Sequence, residues 1–207
     1  MHLRAAIASW MLLASVAPAA ATPLTHEGLT FSDEAGGFRL LSVIGTGTLA
    51  DPIVVTEEIT GSQDAVLLIR GFSREFGNRI GSHHIAAFAM TKVVINRTDK
   101  VWQNFQMELR EVPTRHSPYE DGLSFGQNSQ ISAAYTSSSF PDSQRFDEPE
   151  DTLGFSGAQV PPGGTATFRF IVSDMSPTAK FYLFQEPLQP LSRLAPAPAG
   201  ATQSAGR

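Results

Sequence analysis

The stretch TATFRFIV, residues 165–172, decides the fold of this chain. Its even positions carry Ala, Phe, Phe and Val, while threonine or arginine fills the odd positions, with Ile171 as the exception. Successive side chains of a β-strand point to opposite faces, so this alternation predicts a strand with one face in a hydrophobic core. The preceding PPGG, residues 161–164, predicts a tight turn, because proline fixes φ and the following glycine accepts a positive φ.

Other apolar runs of strand length are separated by Gly, Pro, Asn, Asp and Ser, which is typical of strands joined by turns. These runs span residues 38–44, 53–59, 65–69, 85–95, 101–112 and 179–185. In the run 101–112, Trp102 and Gln103 break the alternation, which indicates a bulge near Asn104. The short link at residues 96–100 predicts either a β-hairpin or a tight connection between two sheets.

No window after the first residues has a clean helical period, so the chain is expected to be all-β. Strands at short spacing with turn signals predict an antiparallel β-sandwich, Ig-like or jelly-roll-like, over residues 24–186. The polar middle, residues 114–152, is too long for a simple turn. Long segments of this kind inside compact domains are usually functional or disordered, so this region is either the first candidate for a ligand-binding surface or a disordered loop.

The two ends of the chain predict export. Residues 1–21 have a short positive start at Arg4, an apolar stretch and the small residues AAA at 19–21, which together indicate a signal peptide cleaved after Ala21. We therefore expect a periplasmic or secreted protein with no membrane span in the mature chain. Residues 187–207 are rich in Pro and Ala and predict a disordered tail, since they offer little apolar surface to bury.

Composition excludes several classes of protein. There is no cysteine, which rules out disulfides, thiolate zinc sites and cysteine nucleophiles. The formal net charge is −5, and no basic patch is evident, which argues against nucleic acid as a partner. No G-x-S-x-G elbow or phosphate-binding loop occurs either. The expected protein is therefore a domain held together by its core, and more consistent with binding than with catalysis.

The second half of the chain resembles a β-sandwich domain of exported proteobacterial proteins, many of which carry the PEP-CTERM sorting signal. The motifs that carry the resemblance are VVINRT (93–98), VWQNFQMEL (101–109), DGLSF (121–125), LGFSG (153–157), VPPGG (160–164) and FRF (168–170). The resemblance implies an exported sandwich of unknown function. Residues 195–207 have no apolar span before a basic tail, so we do not expect the sorting signal itself.

Two groups of residues are candidates for ligand binding. Carboxylates suit Ca²⁺, which would be the only cofactor we expect; the alternative is a solvated acidic loop. This candidate calcium site consists of Asp147, Glu148, Glu150 and Asp151. Exposed Trp and Tyr rings form platforms for sugars, and Trp102, Tyr119 and Tyr135 are the candidates here. Trp102 heads an alternating strand, however, which favours a place in the core for this residue.

The sequence therefore predicts an exported, non-catalytic binding or structural module whose partner is a glycan or an envelope protein. One alternative is a small secreted carbohydrate-active enzyme that uses loop carboxylates such as Glu120, Asp121 or Glu150. Another alternative is a cell-surface or matrix assembly protein that pairs through exposed sheet edges.

Overall fold

The computed structural model describes residues 21–127, 131, 135–146 and 151–188. The predicted signal peptide before residue 21 and the predicted tail beyond residue 188 lie outside this part of the chain. The strands are β1 (Leu24–His26), β2 (Leu29–Ser32), β3 (Phe38–Ile44), β4 (Ile53–Ile59), β5 (Ala65–Arg70), β6 (Ala86–Asn96), β7 (Asn104–Arg110), β8 (Leu123–Ser124), β9 (Tyr135–Ser137), β10 (Asp142–Phe146), β11 (Thr152–Ser156), β12 (Thr165–Asp174) and β13 (Lys180–Leu188). A 3₁₀ turn spans Tyr119–Asp121, and no helix in the described part could span a bilayer.

The strands form two sheets, which confirms the predicted all-β sandwich. One sheet has seven strands in the order β1-β2-β5-β13-β7-β11-β10. The other has six, in the order β3-β4-β6-β12-β8, with β9 also paired to β12. The pairing is antiparallel except between β4 and β6, which run parallel from Ile53↔Met90 to Ile59↔Asn96. Parallel neighbours need a crossover connection, and here β5 provides it by pairing in the opposite sheet.

The strand predicted from residues 165–172 is confirmed as β12, which continues to Asp174. It pairs with β6 over ten residues, from Thr165↔Ile95 to Asp174↔Ala86. Its even side chains up to Val172 are fully buried between the sheets. Ile171, the exception to the alternation, packs on the other face of the sheet with Ile80 and two alanines of β6. A loop therefore covers part of this outer face, which explains why an apolar residue is tolerated at an outward position.

Aromatic side chains join the two sheets. The Phe168 ring of β12 lies 4.6 Å from Phe105 and 4.8 Å from Phe155, both on the seven-stranded sheet. Farther along the core, Phe72 lies 5.3 Å from Phe88 of β6 and 5.2 Å from the ring of Phe181 on β13. Rings at these separations add favourable edge and offset contacts to the area they bury. Phe168 thus contacts strands β7 and β11 across the interface.

Several predicted elements differ in detail from the structure. The link at residues 96–100 joins β6 of one sheet to β7 of the other, so it is a connection between sheets rather than a hairpin. The run 101–112 is shortened to β7, and Trp102 forms an isolated bridge with Val160 instead of continuing that strand. The polar middle segment contains the short strands β8, β9 and β10. Their few, mostly polar residues give no hydrophobic alternation, which is why the sequence did not reveal them.

Phe168→Ala is expected to lower the free energy of unfolding by about 3–5 kcal/mol, because it leaves a cavity where both sheets meet. Urea unfolding followed by fluorescence measures this change. Phe146→Ala is the matched control, since the Phe146 side chain is 43% exposed and its removal should cost only about 0.5 kcal/mol. Equal losses in the two variants would contradict the assignment of Phe168 as a core contact between the sheets.

Candidate ligand-binding site

The outer face of the seven-stranded sheet carries a row of polar residues on adjacent strands. The strand register aligns Gln144 of β10, Gly154 of β11, Gln106 of β7 and Glu186 of β13. Residues paired directly across antiparallel strands share one face of the sheet. Their sequence neighbours Phe105 and Phe155 point into the core. The row therefore faces outward, on strands whose opposite face is fixed by core packing.

A groove of about 390 Å³ runs along this face where β7, β10 and β11 meet. Its lining includes Asn104, Gln106, Gln144 and the 43% exposed ring of Phe146. Gly154 lies at the base of the groove, where a Cβ atom would come within 3.6 Å of the Phe146 ring and meet no closer atom. The missing side chain at Gly154 therefore helps to keep the groove open. We call this set of residues the outer groove.

A second, smaller depression adjoins the outer groove and shares Gln106 with it. In this depression the carboxylate of Glu108 accepts hydrogen bonds of 2.6 Å from Arg110 Nε and 2.7 Å from Arg110 Nη2. His116 Nδ1 adds a hydrogen bond of 2.6 Å to Glu108 Oε1. The Arg110 guanidinium lies 4.1 Å from the centroid of the Phe184 ring. These contacts hold a polar network in place at one end of the face.

The chemistry of this face suits a neutral ligand rich in hydroxyl groups. Glutamine and asparagine amides can both donate and accept hydrogen bonds, and carboxylates accept them from hydroxyls. An exposed phenyl ring packs well against an apolar ring face. In the smaller depression, burial and the nearby Asp64 raise the pKa of Glu186. The Glu108 carboxylate is neutralised by Arg110, whereas Asp64 and Glu186 add negative charge that disfavours anionic ligands.

Of the three aromatic residues predicted to bind ligand, Trp102 is buried and Tyr135 is half-buried. Trp102 is 1% exposed, and its ring lies 5.6 Å from Phe105 in the core. Tyr135 is half-buried on β9, opposite Phe170 of β12. Tyr119 begins the 3₁₀ turn. The ligand-binding role of these three residues stays a prediction. The ring of Phe146, which the sequence analysis did not select, is exposed.

The acidic candidate site falls mostly outside the described residues. Asp147, Glu148 and Glu150 lie there, while Asp151 is buried immediately before β11 and has a positive φ of 37°. In residues 21–127, 131, 135–146 and 151–188, no three His, Asp or Glu side chains come together in a way that could hold a metal ion. Calcium binding by the acidic run stays a prediction.

A group of carboxylates lies at the end of β12, and of these Asp121 and the neighbouring Glu120 belong to the polar middle segment, residues 114–152. Burial, reinforced by Glu111 and Asp121, raises the pKa of Asp174 to about 7. Asp174 Oδ1 accepts a hydrogen bond of 2.7 Å from the Ser176 amide. Asp121 Oδ1 accepts one of 3.0 Å from the Leu123 amide, next to the exposed Glu120. These hydrogen bonds fix turns, and they place Glu120 and Asp121 side by side in one turn.

Phe146 and Gly154 were missed by the sequence analysis for a physical reason. Phenylalanine is usually core material, and the alternation in DSQRF, residues 142–146, has no apolar partner that would mark a face. The nearest available signal is Gly154 within the run 152–156, since a glycine inside a strand often marks a site of close approach. Assigning that glycine to a groove required the pairing of β11 with β7 and β10.

Comparison with known proteins found no matching family model, no similar curated protein and no similar solved structure. The resemblance of the second half of the chain to an exported β-sandwich family therefore stays a prediction. The outer groove combines an exposed aromatic ring with amide side chains on one face of the sandwich.

The raised pKa of Asp174 predicts a loss of stability with rising pH. The unfolded chain releases this proton near its ordinary pKa of 3.8, whereas the folded protein holds it up to about pH 7. The stabilisation is thus complete below pH 3.8 and is lost as the pH rises through 7, by up to about 4 kcal/mol. Asp174→Asn keeps the oxygen acceptor but cannot ionise.

Urea unfolding at pH 5 and pH 8 tests this expectation. Between pH 5 and pH 8, the free energy of unfolding of the wild type should fall relative to that of Asp174→Asn. Asp99→Asn, at a side chain that is 84% exposed, serves as the control and should follow the wild type at both pH values. A pH dependence identical in all three proteins would show that Asp174 ionises in the fold as it does in water.

Proposed function

We propose that this protein is a non-catalytic glycan-binding module of the bacterial envelope or extracellular space, and that the outer groove holds the ligand. The observation that carries the proposal is the exposed Phe146 ring beside the side-chain-free Gly154, flanked by the amides of Gln106 and Gln144. Together they offer one apolar contact surface and several groups that exchange hydrogen bonds with hydroxyls. A sugar ring presents both matching features, an apolar face and hydroxyl groups.

The rigidity of the groove supports this function. Its residues sit on the paired strands β7, β10 and β11, and the opposite faces of β7 and β11 carry core residues such as Phe105 and Phe155. Strands held in this way lose little conformational freedom when a ligand binds. Preorganisation matters for a glycan, because each sugar hydroxyl exchanges water for a protein group at small net gain. Because a preformed groove loses little conformational entropy on binding, it keeps that small gain in binding free energy.

The charge of the protein narrows the expected ligand. The net charge is −5, and the smaller depression beside the outer groove contains Asp64 and Glu186 in addition to the paired Glu108 and Arg110. Like charges brought together without compensation weaken binding, so uncharged polysaccharides should bind better than acidic ones. The predicted signal peptide supports a ligand in the envelope or outside the cell.

Assembly through a sheet edge is the second candidate function. Strand β3 lies at the edge of the six-stranded sheet and exposes Ile44 to 59%. However, its pairing with β4 shifts register between Leu40 and Ser42. Irregularities of this kind twist an edge and disfavour pairing with a second chain. The glycan proposal is therefore better supported, and light scattering, which would report higher oligomers of an assembly protein, separates the two.

Substitutions in the outer groove test the proposal directly. A glycan array of uncharged and acidic oligosaccharides identifies the strongest binder, and calorimetry then measures its affinity. Phe146→Ala should weaken that affinity at least tenfold, about 1.4 kcal/mol, by removing the ring contact. Gly154→Leu should abolish binding by filling the base of the groove without backbone strain, since Gly154 does not have a positive φ.

Ile44→Ala is the matched control, because it removes an exposed apolar side chain from the other sheet and should leave affinity unchanged. If the correctly folded wild type binds no glycan on the array, the proposal is wrong. Full affinity in Gly154→Leu would contradict the location of the site in the outer groove.

A further inference from the structure

Three polar side chains lie inside the core, at positions where the alternation calls for apolar residues. Glu57 of β4, Lys92 of β6 and Gln185 of β13 are all 0% exposed. Each continues an inward-facing series: Glu57 follows Val55, and Lys92 follows Met90 at the same two-residue interval. Charged residues are almost never buried to this extent unless they are paired or have a specific role.

The parallel register of β4 and β6 brings Glu57 and Lys92 together. Lys92 pairs with Val55, and Glu57 lies two residues farther along β4 on the same face. The side chains meet there, and Lys92 Nζ donates a hydrogen bond to Glu57 Oε2. Gln185 faces this pair from the opposite sheet. The cluster therefore depends on the one parallel pair of strands described above.

The buried ion pair has few hydrogen-bond partners. Among the described residues, the bond to Glu57 is the one hydrogen bond that Lys92 Nζ makes, although an ammonium group has three donors. The Phe38 ring, 5.7 Å from Nζ, supplies a weak additional contact. Gln185 interacts with Glu57, but neither of its amide atoms reaches full hydrogen-bond geometry in the described part. The desolvation of two charges exceeds what so few contacts return.

Both groups are consequently shifted toward their neutral forms. Burial raises the pKa of Glu57, and it lowers the pKa of Lys92, in each case outweighing the attraction of the partner. Burial therefore favours transfer of the shared proton from Lys92 Nζ to the Glu57 carboxylate, which gives an uncharged amine in contact with a carboxylic acid. A neutral amine is nucleophilic, and a protonated carboxyl group is an electrophile whose hydroxyl can leave as water.

We propose that Lys92 and Glu57 condense into an intramolecular amide that covalently links β4 to β6. The proton passes from the Lys92 ammonium group to the Glu57 carboxylate, and the freed lone pair on Nζ attacks Glu57 Cδ. The new N–C bond forms as the carbonyl π electrons move onto oxygen. A proton then moves from nitrogen to the hydroxyl group, the C–O bond breaks and one water molecule leaves. The products are one amide and one water, with no change in oxidation state.

The surroundings favour this reaction over its reversal. Fixing the two groups in contact raises their effective concentration, which for well-oriented groups reaches about 10⁵–10⁸ M. The Gln185 amide faces Glu57 and can donate to the oxygen that becomes negative during attack. The dry core also keeps water away from the product. The bond removes two buried charges and closes a loop between residues 35 positions apart, in a chain without cysteine.

Mass spectrometry of the purified full chain tests the proposal. The intact mass should be lower by one water molecule than the mass calculated from the N-terminus found. Trypsin should yield the fragments 40–70 and 80–97 joined together, with cleavage after Lys92 blocked. Separate fragments at the unmodified mass would overturn the proposal. Loss of one ammonia instead would place the bond on Gln185 and overturn the assignment to Glu57.

Two variants provide matched controls. Lys92→Met should restore the calculated mass and slow migration in a denaturing gel to that of an uncross-linked chain. Lys100→Met removes an exposed lysine, whose Nζ lies 3.6 Å from Asp99, and should keep the loss of one water. A water loss that persists in Lys92→Met would overturn the proposal. Should Lys92→Met fail to fold, the fragment map of the wild type decides the question by itself.

Discussion

The ten-residue pairing of β12 with β6 is the constraint on which the rest of this structure depends. Both strands bury one face completely, and each also pairs with a further strand on its other side, β4 for β6 and β8 and β9 for β12. The core side chains of β12, above all Phe168, then position the second sheet through Phe105 and Phe155. A sandwich without disulfides relies on this burial for its stability, because apolar area removed from water is the dominant favourable contribution to folding.

The same alternation that builds the core also builds the candidate site. In β7 and β11, every second residue is fixed inside by packing, so the residues between them are held on the outer face at regular spacing. Gln106 and Gly154 are placed in this way, and Phe146 joins them from the edge strand β10. The groove therefore needs no dedicated loop architecture. Its shape follows from strand register and from the absence of one side chain.

The sequence predicts most of this fold, because β3, β4 and β12 carry long apolar runs with clear limits. It does not predict the short polar strands β8 to β10, whose formation depends on pairing with β12 and β11 rather than on their own pattern. The site residues are hidden for a similar reason, since Phe146 is compatible with either a core or a surface. Glu57 and Lys92 were detectable in principle, because each interrupts an apolar alternation, but only the parallel register shows that they meet.

The parallel pairing of β4 with β6 also has a consequence for how the chain reaches its native state. Between these two strands the polypeptide passes through the opposite sheet as β5, so the segments that form the two sheets alternate along the chain. We expect neither layer to be stable alone, and folding to be a single cooperative event limited by the search for distant partners. Topologies dominated by such non-local pairings fold in milliseconds to seconds rather than microseconds.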